Sequence, residues 1–250
     1  MKILEINDLS KSYDGKNNAL KDCSFSIESG KICAIVGESG SGKSTLLKLI
    51  AGLERPSAGQ IKIKGKVVSN DDVIVSPQKR NVGLVFQDFA LFPHLTVKEN
   101  ISFGLKKDKT KKVDELLKKI KMEGYGNRYP SELSGGQEQR VSIARTLALN
   151  PELLLLDEPF SSLDTNLKSD LRQEIKQIIK DIGQSMIFIT HDIFDALDIA
   201  DEIIFLKEGN IIRHSSIKNA YKDVENEYLK KSMKELKSNA ERILKAVNNK

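Results

Sequence analysis

Residues 37–45 read Gly37-Glu38-Ser39-Gly40-Ser41-Gly42-Lys43-Ser44-Thr45, and no other run constrains the fold as tightly. A continuous apolar stretch, 32–36, comes immediately before it, and residues 44–53 carry a helical pattern after it. Glycine lets a backbone wrap an anion without Cβ clashes. The N–H groups of such a loop, together with the start of the following helix, form a seat for phosphate. Strand, loop and helix in this order fit a nucleotide-phosphate site. Lys43 is placed to reach the terminal phosphates, and the Ser44 hydroxyl to ligate Mg²⁺. The chain must therefore contain a buried strand delivered to a helix N-terminus, which is an α/β arrangement.

The remaining pattern extends that arrangement. Cys23, Phe25 and Ile27 alternate with polar residues at the period of a half-buried strand, and most of the first sixty residues read the same way. The uninterrupted apolar runs 32–36, 153–156 and 186–190 read as strands covered on both faces. Val113, Leu116, Leu117 and Ile120 fall at helical spacing within a lysine-rich segment. Residues 166–182 read as a helix, and 203–212 as a hairpin around Gly209. The predicted fold is α/β: a phosphate-loop core on a largely parallel sheet, an N-terminal antiparallel β subdomain and a helical insertion over about 88–150.

Two further motifs carry chemistry. Residues 153–156 are all leucine and lead into Asp157-Glu158. A buried strand ending in acids sets those carboxylates at the sheet edge beside the phosphate loop. Asp157 can then hold Mg²⁺, through water or directly, and Glu158 can polarise an attacking water. Leu133-Ser134-Gly135-Gly136-Gln137 opens a predicted helix and reads as a second anion seat. Two such seats in a chain with one phosphate loop make sense if Ser134, Gly135, Gly136 and Gln137 meet the γ-phosphate of ATP held by another copy.

With this pentapeptide the sequence resembles the ABC ATPase family, over residues 1 to about 215. The resemblance implies further roles. Tyr13 would stack on adenine. Gln87 would contact Mg²⁺ and the attacking water. Asp164, in Ser161-Ser162-Leu163-Asp164, would cross the dimer interface. His191 would contact the γ-phosphate. Together with Glu158, His191 and Gln87 form the expected catalytic set, and Ser44, Gln87 and Asp157 the expected metal set. ATP and Mg²⁺ are the implied ligands. A second copy, transmembrane permease subunits and a solute-binding protein are the implied partners, with no nucleic acid. Around Gln87, residues 82–97 are similar to importers of iron(III), polyamines, sulfate or molybdate. Two departures stand out. The residues after about 215 are not expected to hold the long C-terminal regulatory domain of many such importers, and Glu138 follows the signature where Gln, Arg or Lys is usual. An ABC-type ATPase acting on nucleic acid or the ribosome is the alternative reading.

Composition sets the compartment. No apolar run nears the roughly 18 residues that span a bilayer. Glu5 interrupts the N-terminus where a secretory leader would be apolar. The expectation is a cytoplasmic protein held to the inner face of the membrane by its permease. The net charge of +5 is mild and fits a solvated basic face. Cys23 and Cys33 read as buried thiols. The tail, 216–250, is expected to be helical. Its stripe of Leu229, Met233, Leu236, Ala240, Ile243 and Val247 would pack on the domain or serve self-association or docking.

Overall fold

The structure, a computed structural model, describes residues 1–106, 109–161 and 165–220, with the side chains of 165–167 also left aside. The tail stripe at 229–247 and Asp164 lie outside the described residues. Two sheets organise the rest. The first contains β1 (Lys2–Ser12), β2 (Asn18–Glu28), β4 (Ala58–Ile63) and β5 (Lys66–Ser69), in the order β2-β1-β4-β5. Every pairing in it is antiparallel, as the alternating pattern predicts.

The second sheet is the core. It contains β3 (Ile32–Val36), β6 (Val82–Val85), β7 (Leu153–Asp157), β8 (Ser185–Thr190), β9 (Glu202–Lys207) and β10 (Asn210–Ser216), ordered β10-β9-β3-β8-β7-β6. All pairings from β9 to β6 are parallel, and β10 closes the edge antiparallel to β9. The central strands β3, β7 and β8 are almost wholly apolar because both faces are covered. Ala34, Leu154, Leu156 and Phe188 face one cluster, while Ile35, Leu153, Leu155 and Ile187 face the other. A strand with period-two side chains between two cores has no polar face to show.

Six helices cover these faces among the described residues. α1 (Lys43–Ala51) packs with the antiparallel sheet on one side. α2 (Val97–Ser102), α3 (Lys109–Lys119), α4 (Gly135–Leu147), α5 (Thr165–Ile182) and α6 (Ile193–Ile199) lie on the other. Val113, Leu116 and Leu117 are the buried stripe of α3, and Asp114 and Glu115 between them are exposed. α1 is shorter at its end than the sequence pattern implies. Gly52 takes φ 83° and caps it. The buried Arg80 guanidinium then donates from Nη1 to the carbonyls of Leu49 and Ile50 at 2.7 and 3.1 Å. A cation at a helix C-terminus satisfies orphan carbonyls and complements the dipole.

Leu155 is fully buried at the centre of β7. Leu155→Ala should lower unfolding stability by about 2–5 kcal/mol, the cost of a large-to-small change that cannot collapse. Denaturant titration measures this. A loss under about 1 kcal/mol would mean that this face of β7 is not close-packed.

Candidate functional site

The parallel strands bring the site together. β3 ends in the loop 37–42, β7 ends at Asp157 and β8 ends at Thr190, so three loops leave the same edge of the sheet. β8 lies between the other two, and His191 therefore emerges between the phosphate loop and Glu158.

Two glycines make the phosphate loop possible. A Cβ on Gly37 would sit 2.2 Å from the Leu206 carbonyl oxygen, and one on Gly42 would sit 2.5 Å from that of Ala19. Gly42 also takes φ 106°, where an L side chain is strained. The loop is thus pressed against both sheets. Lys43 is buried and folds back over it, donating from Nζ to the carbonyls of Gly37 and Glu38 at 2.7 and 2.8 Å. Burial lowers the Lys43 pKa, while Glu158 and Asp157 pull it back up. The ammonium is held by two neutral carbonyls, which a phosphate can replace with a far stronger partner. Ser41 Oγ is buried with no hydrogen-bond partner. Glu38, Ser39, Gly40 and Ser44 are exposed on the loop, and Thr45 is half-buried.

The other side of this edge is assembled around Glu158. It takes φ 42°, an uncommon conformation for a non-glycine residue, and its N–H donates to the Ile189 carbonyl at 3.1 Å. His191 Nδ1 lies 3.1 Å from Glu158 Oε2. Gln87 Nε2 donates to Ser161 Oγ at 3.2 Å, and that hydroxyl donates to the Glu158 carbonyl at 2.9 Å. Behind the turn, Phe160 is fully buried edge-on to Phe188. Burial and the adjacent Glu158 raise the Asp157 pKa, against Lys48 and Lys43. That carboxylate is short of positive charge.

Among the described residues, no group of three or more His, Cys, Asp or Glu side chains gathers into a protein-only metal site. Asp157, the Ser44 hydroxyl and the Gln87 amide, the residues expected from the sequence, would together offer a sparse oxygen set. Such a set fits Mg²⁺, which keeps waters and phosphate oxygens and takes only one or two carboxylates.

Tyr13 is 61% exposed. Its hydroxyl donates to Glu54 at 2.6 Å and lies 3.3 Å from Thr45 Oγ1, which fixes the ring beside α1. Lys11 Nζ sits 4.8 Å from the ring centre. Glu54 had no motif to reveal it, nor did Lys48 as a charge near Asp157.

The signature stands apart. Ser134 is exposed at the start of α4, and its N–H donates to Gln137 Oε1 at 3.0 Å. Gly135 and Gly136 begin the helix. Among the described residues, no hydrogen bond or ion pair joins 133–137 to the phosphate loop, Glu158 or His191.

A cavity of about 700 Å³ opens below Gln87. Phe86, Phe92, Phe103, Arg145 and Leu149 are among its lining residues. The Arg145 guanidinium donates to the carbonyls of Ala90 and Phe89 at 2.7 and 3.0 Å and lies 5.2 Å from the Phe92 ring centre.

The sequence model of the family described as "ABC transporter" matches residues 20–161. The chain is 47% identical over 222 residues to the sulfate/thiosulfate import ATP-binding protein CysA of Synechocystis sp., which covers 86% of the chain and 61% of that protein. It is 44% identical over 217 residues to the probable sulfate/thiosulfate import ATP-binding protein CysA of Chlorella vulgaris, covering 84% and 90%. It thus spans about three fifths of the Synechocystis relative. Among solved structures it is similar to cbiO1 of Clostridium perfringens, part of the ABC transporter complex cbiONQ. The TM-score is 0.81 at 31% identity, with 89% of this chain and 91% of that one covered. It is also similar to the dimeric post-hydrolysis state of the ATP-binding cassette MJ0796 bound to ADP and Pi. There the TM-score is 0.72 at 34% identity, covering 86% and 98%.

Two substitutions separate the parts of this site. Lys43→Ala should weaken ATP by about 2–5 kcal/mol, the cost of losing a buried charge partner. Tyr13→Ala should weaken ATP by about 1–3 kcal/mol, as base–aromatic stacks do, and leave inorganic triphosphate unaffected. Nucleotide titration reads both. Equal losses for both ligands in Tyr13→Ala would remove it from the adenine position.

Proposed function

The chain belongs to the ABC transporter family, and on that premise we propose that it is the ATP-binding and ATP-hydrolysing subunit of a membrane importer. The observation that carries this reading is the Glu158–His191 pair, set at the ends of the strands beside the phosphate loop. ATP enters with its phosphates on the loop 37–45. Lys43 leaves the Gly37 and Glu38 carbonyls for the terminal phosphates. Glu158 accepts a proton from the attacking water at its carboxylate, with His191 Nδ1 holding that carboxylate in place. Gln87 and Ser161 fix the same turn from the other side. Magnesium brought with ATP would neutralise phosphate charge, held by Ser44, Asp157 and Gln87.

The outward-facing signature supports a head-to-tail pair of copies. Ser134, Gly135, Gly136 and Gln137 of one would close over the nucleotide of the other, with Asp164 at the seam. ATP then favours a closed pair, and hydrolysis releases it. The cavity below Gln87, lined by Phe86, Phe103 and Leu149, offers an apolar seat for a helix of the permease. Among the described residues no helix is long and apolar enough to cross a membrane. In this reading the subunit lies on the inner face of the membrane, and a solute-binding protein delivers the cargo. The names of the relatives favour transport over action on nucleic acid, and import over export. They also point to a sulfate-like oxyanion as the cargo.

Glu158→Gln keeps the shape and removes the base. ATP hydrolysis should fall by about 10²–10⁴-fold. The closed pair should then accumulate, and gel filtration should show a dimer with ATP and a monomer with ADP. Hydrolysis at the wild-type rate would remove Glu158 from the role of base.

A further inference from the structure

A buried polar network lies behind His191, outside the motifs described above. The Thr190 hydroxyl donates to Asp195 Oδ2 at 2.7 Å. Thr190 Oγ1 also accepts the Asp192 N–H at 3.0 Å, so this hydroxyl closes the turn across His191 from both sides. Asp195 is in turn held from α5. Arg172 Nε lies 3.1 Å from Asp195 Oδ1, close enough to pair charges but off the line of a hydrogen bond. The other end of the guanidinium pairs with Asp198. Lys176, one turn further along α5, donates to the Asp198 carbonyl at 2.9 Å. Thr190, Asp195 and Arg172 are 2%, 3% and 7% exposed.

Such a network is a costly way to fasten two helices. Apolar residues of the same size would join α5 to α6 as well or better, because burying charges forfeits hydration. What a charged network supplies is direction, since each hydrogen bond fixes an atom where dispersion would let it slide. Its final bond goes to Thr190, the residue immediately before His191. α5 in turn continues from the loop that carries Glu158. The chain of contacts therefore links the two elements that must keep His191 Nδ1 against Glu158 Oε2.

We infer that Asp195 and Arg172 are positioning residues that act through Thr190 to hold the His191 imidazole against Glu158. This rests on the ATP-hydrolysing role proposed above. The motifs gave no sign of it, because Arg172 and Asp195 are 23 residues apart in the sequence and belong to none of the motifs.

The test uses the full chain and two variants, Asp195→Asn and Thr190→Val, each made alone and in a His191→Ala background. In the wild-type background each should lower kcat on the order of tenfold, the scale expected for a displaced catalytic group, with KM for ATP within about twofold. In the His191→Ala background neither should lower kcat further, because the residue through which they act is gone. A purely structural role would give the same fold loss in both backgrounds, and that outcome overturns the inference. The chain has three histidines, His94, His191 and His214, so the imidazole NMR signals of the nucleotide-free protein provide a reading independent of activity. Asp195→Asn and Thr190→Val should each move the His191 signal towards its position in Glu158→Gln and leave His94 and His214 in place. An unmoved His191 signal overturns the inference. If the wild-type protein hydrolyses no ATP, the functional reading fails, and these signals still decide the positioning. If Asp195→Asn does not fold, Thr190→Val, which removes one hydroxyl and keeps the side-chain shape, decides the question.

Discussion

The site depends on one constraint, the parallel register of β3, β8 and β7. Ile32 pairs with Met186 and Leu154 with Met186, so the three strands advance together and end together. Each is apolar on both faces, which leaves its register fixed by two cores at once. A phosphate loop, a histidine and a pair of carboxylates then leave the same edge from adjacent positions. None of these groups is near the others in sequence. Their contact at 3.1 Å between His191 and Glu158 follows from the sheet and could not survive a slip of one residue.

Electrostatics explains why this edge waits for an anion. Lys43 is buried near Asp157 and Glu158, and its ammonium is satisfied by two backbone carbonyls that are already committed to a tight turn. Asp157 is half-buried next to another carboxylate, and its charged form is disfavoured. Phosphate oxygens with a divalent cation would relieve both groups together, giving Lys43 a full negative partner and Asp157 a positive one. The packing beneath the site, where Phe160, Phe188 and the strand leucines are fully buried, offsets the cost of placing these charged groups together.

Much of this was legible in the sequence, for identifiable reasons. The strands at 32–36, 153–156 and 186–190 were readable because strands buried on both faces leave uninterrupted apolar runs, and the structure extends the last two by one residue each. The phosphate loop, Asp157-Glu158 and Ser134–Gln137 were readable because phosphate binding demands glycine and short polar side chains at fixed spacing. What the sequence did not disclose depends on long-range contact. Glu54 beneath Tyr13, Arg80 at the end of α1 and the Thr190–Asp195–Arg172 network use ordinary charged residues at no fixed spacing. Such residues look like solvated surface until the fold brings their partners to them. The first helix was also read two residues too long at its end, because the pattern continued past Gly52 while the backbone turned left-handed there.

The central claim is that two copies close on ATP with the signature of one against the phosphate loop of the other. Ser39 and Ser134 are both exposed, and the native cysteines, Cys23 and Cys33, are buried. A copy carrying Ser39→Cys mixed with a copy carrying Ser134→Cys can therefore report the contact directly by disulfide formation. The account predicts a crosslinked heterodimer with ATP under magnesium chelation, and none with ADP or without nucleotide. A crosslink that forms equally without ATP, or none at saturating ATP, would contradict it.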